Sequence, residues 1–132
     1  MVILFDRFNL PDDLFEIIFS TTQQKIVAKE LLKFMNKRKN EITKTEMSEF
    51  ATKLHDGEYV CVLDEPPYKG KKVKLSYNKR QFYDRILTPM KSMGLIDYDL
   101  YKKVYRISPR FASDLQKIGE MWIRELKKMG VK

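Results

Sequence analysis

Few side chains of this 132-residue chain are of the types that carry out catalysis. There is one cysteine, Cys61, and one histidine, His55. These two residues are too few for a Cys/His zinc cluster, and the sequence has no spare histidine for a Ser-His-Asp triad. Asp97 and Asp99 stand two apart, so on a strand their carboxylates would share a face and could hold a magnesium ion, but no further acids cluster with them. We therefore expect no enzyme, no metal ion and no cofactor.

The charge of the chain points to binding instead. Lysine and arginine number 26 against 18 acids, a net charge of +8. Residues 1–20 hold four acids and one base, whereas residues 69–85 hold seven bases and one acid. A concentrated positive field suits a polyanion, most often nucleic acid and less often an anionic membrane surface or an acidic protein. The alternative is a lysine-rich surface that serves only solvation.

The stretch 75–108 places part of this charge on a helix. Ser76 and Asn78 are good N-cap types, and Gly94 supplies a left-handed stop. Between them a buried face recurs at helical spacing, at Phe82, Ile86, Met90 and Met93, widened by Leu87 and Tyr83. The remaining side chains are predicted to point outward, a polar and basic set: Tyr77, Asn78, Lys79, Arg80, Gln81, Asp84, Arg85, Thr88 and Ser92. Pro89 falls inside this helix, which either kinks there or ends early.

Two short strands are predicted after the glycine, at 95–98 and 104–108, joined around 99–103 with Lys102 and Lys103 at the tip. The order of helix, glycine and basic hairpin resembles the recognition helix and wing of the winged helix-turn-helix DNA-binding superfamily, in particular small MarR- and PadR-like regulators of archaeal or viral type. A generic small α+β domain also contains these elements.

The resemblance implies a helix in the major groove and a wing on the phosphates. It assigns Arg80, Gln81 and Arg85 to base edges and four further side chains to the DNA backbone, namely Lys79, Lys102, Lys103 and Arg106. Asn78 and Asp84 complete the DNA-binding set on this helix. The function implied is a sequence-specific double-stranded DNA-binding protein that regulates transcription as a homodimer. The alternatives are a winged-helix module that docks an acidic protein, and a replication or RNA-binding role of the same domain.

The elements upstream are helical, with one insertion. The apolar start of Met1–Phe8 is either a strand or an arm on a partner subunit, and a short helix is expected from Asn9 and Pro11. Core helices follow at about 21–36 and 43–55, each opening with a plausible capping box, and His55 is expected to cap the second.

About twenty residues then separate this helix from the next, where a winged helix has only a few. Residues 57–75 read as an inserted β-hairpin around a turn at 65–70, with Cys61 as a small buried residue. Its lysines, Lys71, Lys72 and Lys74, either form an additional DNA-contacting arm or keep an edge strand soluble.

The last segment, 109–132, is predicted to be a long helix with an apolar stripe. We assign the stripe to a homodimer interface formed by Phe111, Leu115, Ile118, Trp122, Leu126 and Met129; alternatively the helix packs on its own core. The fold expected is a single α+β, mostly helical domain over 1–132, with a winged-helix core at 21–108, a wing at 95–108 and this C-terminal helix. The absence of disulfides and of an apolar run near 18 residues leads us to expect a cytoplasmic protein without a membrane partner.

Overall fold

The computed structural model describes residues 5–63 and 69–132 and has an α+β fold that is mostly helical, as expected. A 3₁₀ turn at Arg7–Asn9 comes first, and a π-helical segment at Phe82–Leu87 joins α4 to α5. The helices are α1 (Leu14–Ile18), α2 (Thr22–Asn36), α3 (Lys44–His55), α4 (Lys79–Gln81), α5 (Thr88–Ser92) and α6 (Arg110–Lys128). The strands are β1 (Glu41–Thr43), β2 (Tyr59–Val62), β3 (Lys72–Leu75), β4 (Ile96–Asp99) and β5 (Val104–Ile107). The start of the predicted arm, residues 1–4, and most of the predicted turn at 65–70 lie outside the described residues.

The two core helices form where the capping signals predict them. Thr43 accepts the N–H of Glu46 at 3.1 Å while the Glu46 carboxylate accepts the N–H of Thr43 at 3.0 Å, so the capping box of α3 is complete. Thr21 caps α2 by accepting the N–H of Gln24, which is one half of the predicted capping box. The apolar stripes of both helices are buried in one core, at Val27, Leu31, Met35, Met47, Phe50, Ala51 and Leu54.

The first helix begins later than predicted. Asp13, rather than Asn9, is the N-cap of α1, and its side chain accepts the N–H of Phe15 at 2.9 Å. The same carboxylate pairs with Lys29 of α2 at 2.6 Å, and the hydrogen bond from Lys29 is the main reason that the pKa of Asp13 lies below its usual value. This tertiary contact sets the start of α1.

Helices α4 and α5, with the π segment between them, form one continuous helix, called the composite helix below. The alternative in which the helix ends early at Pro89 is wrong, because helical residues continue to Ser92. The N–H of Thr88 donates to the carbonyl of Tyr83, five residues back, so the turn before the proline is wider than an α turn and makes room for its ring. Tyr77 was predicted to point outward, but it precedes the helix in an extended segment and is only 6% exposed.

Gly94 ends this region with φ of +84°, as the sequence indicates. The wing hairpin of β4 and β5 follows, and β1 pairs with β5, giving a three-stranded antiparallel sheet in the order β1-β5-β4. Residues 41–43, between the two core helices, are therefore a strand. The insertion forms a separate two-stranded antiparallel sheet of β2 and β3, which confirms the predicted hairpin.

Helix α6 starts against the end of the composite helix, where the N–H of Phe111 donates to the carbonyl of Gly94 at 3.1 Å. Beyond that point no residue of α6 is buried, and Trp122 is 60% exposed. The core is already covered by the other helices and the wing sheet. The alternative in which α6 packs along its own core is therefore wrong.

Candidate nucleic-acid interface

The composite helix is held so that one face is free. Its buried face includes Phe82, Ile86 and Met90, which lie four apart and are fully enclosed by the core, together with Leu87. Because these positions are four apart, Arg80, Gln81 and Arg85 lie on the exposed side, as predicted. Asp84 is exposed beside them and forms a long ion pair with Arg80, 3.8 Å between Nε and Oδ2.

The start of the composite helix is fixed by two side chains. Asn78, predicted to contact DNA, accepts the N–H of Gln81 at 3.1 Å and is thus the N-cap. His55, predicted to cap its own helix, instead accepts the N–H of Lys79 through Nδ1 at 3.1 Å. Two of the N–H groups that a helix start leaves unpaired are satisfied in this way. The first turn is therefore set by α3 as well as by its own sequence.

Lys79 joins the same two helices. Its Nζ donates to Thr52 Oγ1 at 2.9 Å and to Ser48 Oγ at 3.4 Å, both on α3, and its side chain is half-buried. The sequence assigned Lys79 to phosphate. In the structure its ammonium group has protein partners, so its first contribution is to the angle between α3 and the composite helix.

The loop at the tip of the wing is ordered by hydrogen bonds to Asp99. Asp99 accepts the N–H groups of Tyr101 at 2.9 Å and Lys102 at 3.1 Å, and its carbonyl accepts the N–H of Lys103 at 2.8 Å. The two bonds to the carboxylate, first that from the N–H of Lys102, hold the pKa of Asp99 below its usual value. Lys102 and Lys103 are exposed at this tip. Their placement matches the prediction.

The wing tip also adjoins the start of α3. The N–H of Lys44 donates to the carbonyl of Lys103 at 2.9 Å. This brings Lys44 and Thr45, both exposed, next to the wing lysines, and an open groove along α3 continues past Ser48 to Thr52. Sequence reasoning missed this contribution. The available signal was the polar, outward side of α3 at spacings of three and four.

Arg106 lies in a different setting from the two wing lysines. It is opposite Glu41 on one side and Asp97 on the other, and its Nε is 2.7 Å from Glu41 Oε1. This carboxylate raises the pKa of Arg106 above its ordinary value. Arg110 pairs with Asp97 at 3.5 Å, which completes a row of alternating charges across the base of the sheet. The guanidinium of Arg106 is thus held in a direct ion pair with Glu41.

The inserted hairpin carries its charge separately. Lys72 and Lys74 are exposed opposite Val62 and Val60, which are also exposed, while Lys71 precedes the strand. Because only residues 76–78 separate β3 from α4, the strand leads directly into the start of the composite helix. The structure therefore places these lysines on a second sheet, outside the wing.

The hairpin contacts α2 through a partly buried polar cluster, in which Cys61, predicted to be buried, is half-buried. Glu30 of α2 is almost fully buried, and burial raises the pKa of both Tyr59 and Cys61 to about 12, with the Glu30 carboxylate adding to each shift. Lys33 lies 3.7 Å from Glu30. A thiol held protonated in this way is a packing group and not a nucleophile.

No family model, curated protein or solved structure matches the chain. Within residues 5–63 and 69–132, no helix is long and apolar enough to cross a membrane. Over the same ranges, no three acidic, histidine or cysteine side chains come together as a group that could hold a metal ion.

Proposed function

We propose that this protein is a winged helix-turn-helix protein that binds double-stranded DNA and regulates transcription as a homodimer. Support for the winged-helix class comes from α2, α3 and the composite helix packed around one core, followed by a hairpin that forms a sheet with β1. The inserted hairpin of β2 and β3 is an addition to that pattern.

The observation that carries the proposal is the arrangement of exposed positive and polar side chains. The outward face of the composite helix bears Arg80, Gln81 and Arg85, while the wing tip bears Lys102 and Lys103 beside the start of α3. Both parts are held by hydrogen bonds to the rest of the domain. A rigid helix with polar outward side chains suits the major groove, and exposed lysines on a fixed loop suit phosphates.

In this proposal the two kinds of contact have different tasks. Contacts of lysine and arginine with phosphates release counterions and supply most of the affinity, so binding weakens as salt rises. Arginine and glutamine on the helix reach base edges, where a good bidentate contact discriminates between bases by about 1–3 kcal/mol. Occupancy of a site would then regulate transcription without any chemical step.

Helix α6 supports the homodimer. At 19 residues it is about 28 Å long at 1.5 Å per residue, and its apolar side chains are exposed along that length. A second copy of the same helix would bury them across a two-fold axis, since identical surfaces pair in closed dimers. Two recognition helices related by two-fold symmetry would match a palindromic site.

Fluorescence anisotropy with a random duplex of about 25 base pairs across a salt series tests DNA binding. We expect log K to fall against log salt with a slope of roughly −0.9 per phosphate contacted. Absence of binding even at low salt would reject the DNA proposal and favour an interaction module for an acidic protein.

Variants separate the two kinds of contact. Arg80→Ala and Gln81→Ala are expected to change the preferred sequence in a binding-site selection, whereas Lys102→Ala should weaken all duplexes alike and reduce the slope by about 0.9. Lys37→Ala is the matched control, because Lys37 is an exposed lysine away from the wing tip. It lies three residues before Asn40, and the carbonyl of Asn40 accepts the N–H of Ile107 at the opposite end of the sheet. Unchanged sequence preference in both helix variants would refute the assignment of this face.

Sedimentation tests the dimer. Ile118→Ser together with Trp122→Ser should give a monomer, while Glu120→Ser, about 200° around the same helix at 100° per residue, should remain dimeric. A parent protein that sediments as a monomer at micromolar concentration would reject the homodimer.

A further inference from the structure

The wing tip carries two apolar side chains in addition to its lysines. Leu100 is 76% exposed and Tyr101 is 98% exposed, and both lie in the four-residue loop between β4 and β5. Single exposed apolar residues are common on protein surfaces. Here an aromatic and an aliphatic residue are adjacent, at the outermost point of a hairpin.

These side chains are exposed although the loop that carries them is ordered by its own bonds. Asp99 accepts the N–H groups of Tyr101 and Lys102, its carbonyl accepts the N–H of Lys103, and the carbonyl of Lys103 accepts the N–H of Lys44. Lys103 has φ of +54°, a left-handed conformation that these bonds hold in place. The loop is therefore preorganised, with its apolar side chains directed away from the core.

We propose that Leu100 and Tyr101 form an apolar wedge that enters the DNA minor groove, unstacks one base step and bends the duplex. The inference rests on the proposed DNA binding and specifies what the wing does there. Proteins that bend DNA from the minor groove insert apolar side chains between base steps, and nearby lysines neutralise the phosphates on either side. Lys102 and Lys103 directly follow the wedge and provide that charge.

The reach of the wing fits this placement. Four strand residues at about 3.3 Å each span roughly 13 Å before the loop begins. Successive turns of DNA are about 34 Å apart, so neighbouring major and minor grooves are separated by roughly half of that. The proposal places the composite helix in the major groove and the tip in the adjacent minor groove. The carboxylate of Asp99, the acidic residue next to the tip, accepts the N–H groups of Tyr101 and Lys102 in the loop.

The experiment measures bending and binding in the same titration. A duplex chosen by binding-site selection carries a fluorophore at each end for energy transfer and 2-aminopurine at its flexible pyrimidine-purine steps, where unstacking raises the fluorescence. The parent protein should shorten the end-to-end distance and raise the 2-aminopurine signal. Leu100→Ser/Tyr101→Ser at saturating concentration in low salt should do neither, with affinity reduced less than about tenfold.

Phe8→Ser is the control, since Phe8 is 88% exposed in the 3₁₀ turn and lies outside the proposed interface. It should bend DNA like the parent. A parent that binds without bending, or a double variant that bends equally, would overturn the wedge while leaving the proposed function intact. A double variant that binds nothing even at low salt would also overturn it, because the tip would then be a main affinity contact. A parent that binds no DNA would reject both proposals.

Discussion

Replacing Gly94 by alanine tests the junction that orients α6 against the composite helix. Gly94 has φ of +84°, and a Cβ there would lie 3.0 Å from Arg110 Cβ and 3.1 Å from the backbone nitrogen of Phe111. The left-handed conformation costs a non-glycine residue about 1–2 kcal/mol, and forcing atoms into a packed site adds about 1–3 kcal/mol. Gly94→Ala should therefore lower the free energy of unfolding by about 2–5 kcal/mol.

Urea unfolding followed by circular dichroism, at one fixed protein concentration, measures this loss. Gly119→Ala is the matched control, because Gly119 lies within α6 at an ordinary φ and a Cβ there meets nothing within 4 Å. Alanine is the better helix former by about 1 kcal/mol, so this variant should be slightly more stable than the parent. Equal stability of the two alanine variants would refute the junction described above.

Three further predictions follow from the polar contacts. Cys61, with a pKa of about 12, should react with iodoacetamide at pH 8 more than about 100-fold slower in the folded protein than in urea. Because the folded protein keeps the thiol protonated, the free energy of unfolding should be at its full value below pH 9, the ordinary pKa of the thiol, and decline above it. Glu46→Ala should lower the stability by about 1 kcal/mol, measured by thermal unfolding at pH 7. Because the hydrogen bond from the N–H of Thr43 lowers the pKa of Glu46, the stability that Glu46 gives is present above the ordinary pKa of 4.5 and is lost as the pH falls below that value, so parent and variant should become equally stable in acid. Arg106→Ala should reduce the salt slope of DNA binding by less than Lys102→Ala does, because a carboxylate already pairs with the guanidinium; an equal reduction would contradict the ion-pair row.

Elements with local signals were predictable. The capping box at Thr43 and Glu46, the apolar stripes of α2 and α3, and the stop at Gly94 depend on residues within about eight positions of one another, so the sequence alone indicates them. The two hairpins were recognisable for the same reason, since alternation and turn residues are near neighbours. The exposure of Arg80 and Arg85 also followed, because helical periodicity assigns them away from Phe82 and Ile86. The exposure of Lys102 and Lys103 followed from their position at the hairpin tip.

Elements that depend on distant partners were not predictable. Residues 41–43 become a strand because they pair with β5, more than sixty positions away. Tyr77 is buried, and its N–H donates to the carbonyl of Leu54 in α3. The hydrogen-bond partners of Lys79 and the ion-pair partner of Arg106 likewise lie on other elements. These contacts leave both side chains less free to bind phosphate than the sequence suggested.

The sequence by itself therefore determined which segments are helices, which are hairpins and where positive charge concentrates, since period, caps and turn residues act over short range. Only the tertiary structure decided which cations are left exposed, how the wing tip meets α3, and that α6 leaves the core with its apolar side uncovered. The physical reason is that burial and pairing are properties of surfaces brought together from distant parts of the chain, and each such contact is set by the partner as much as by the residue itself.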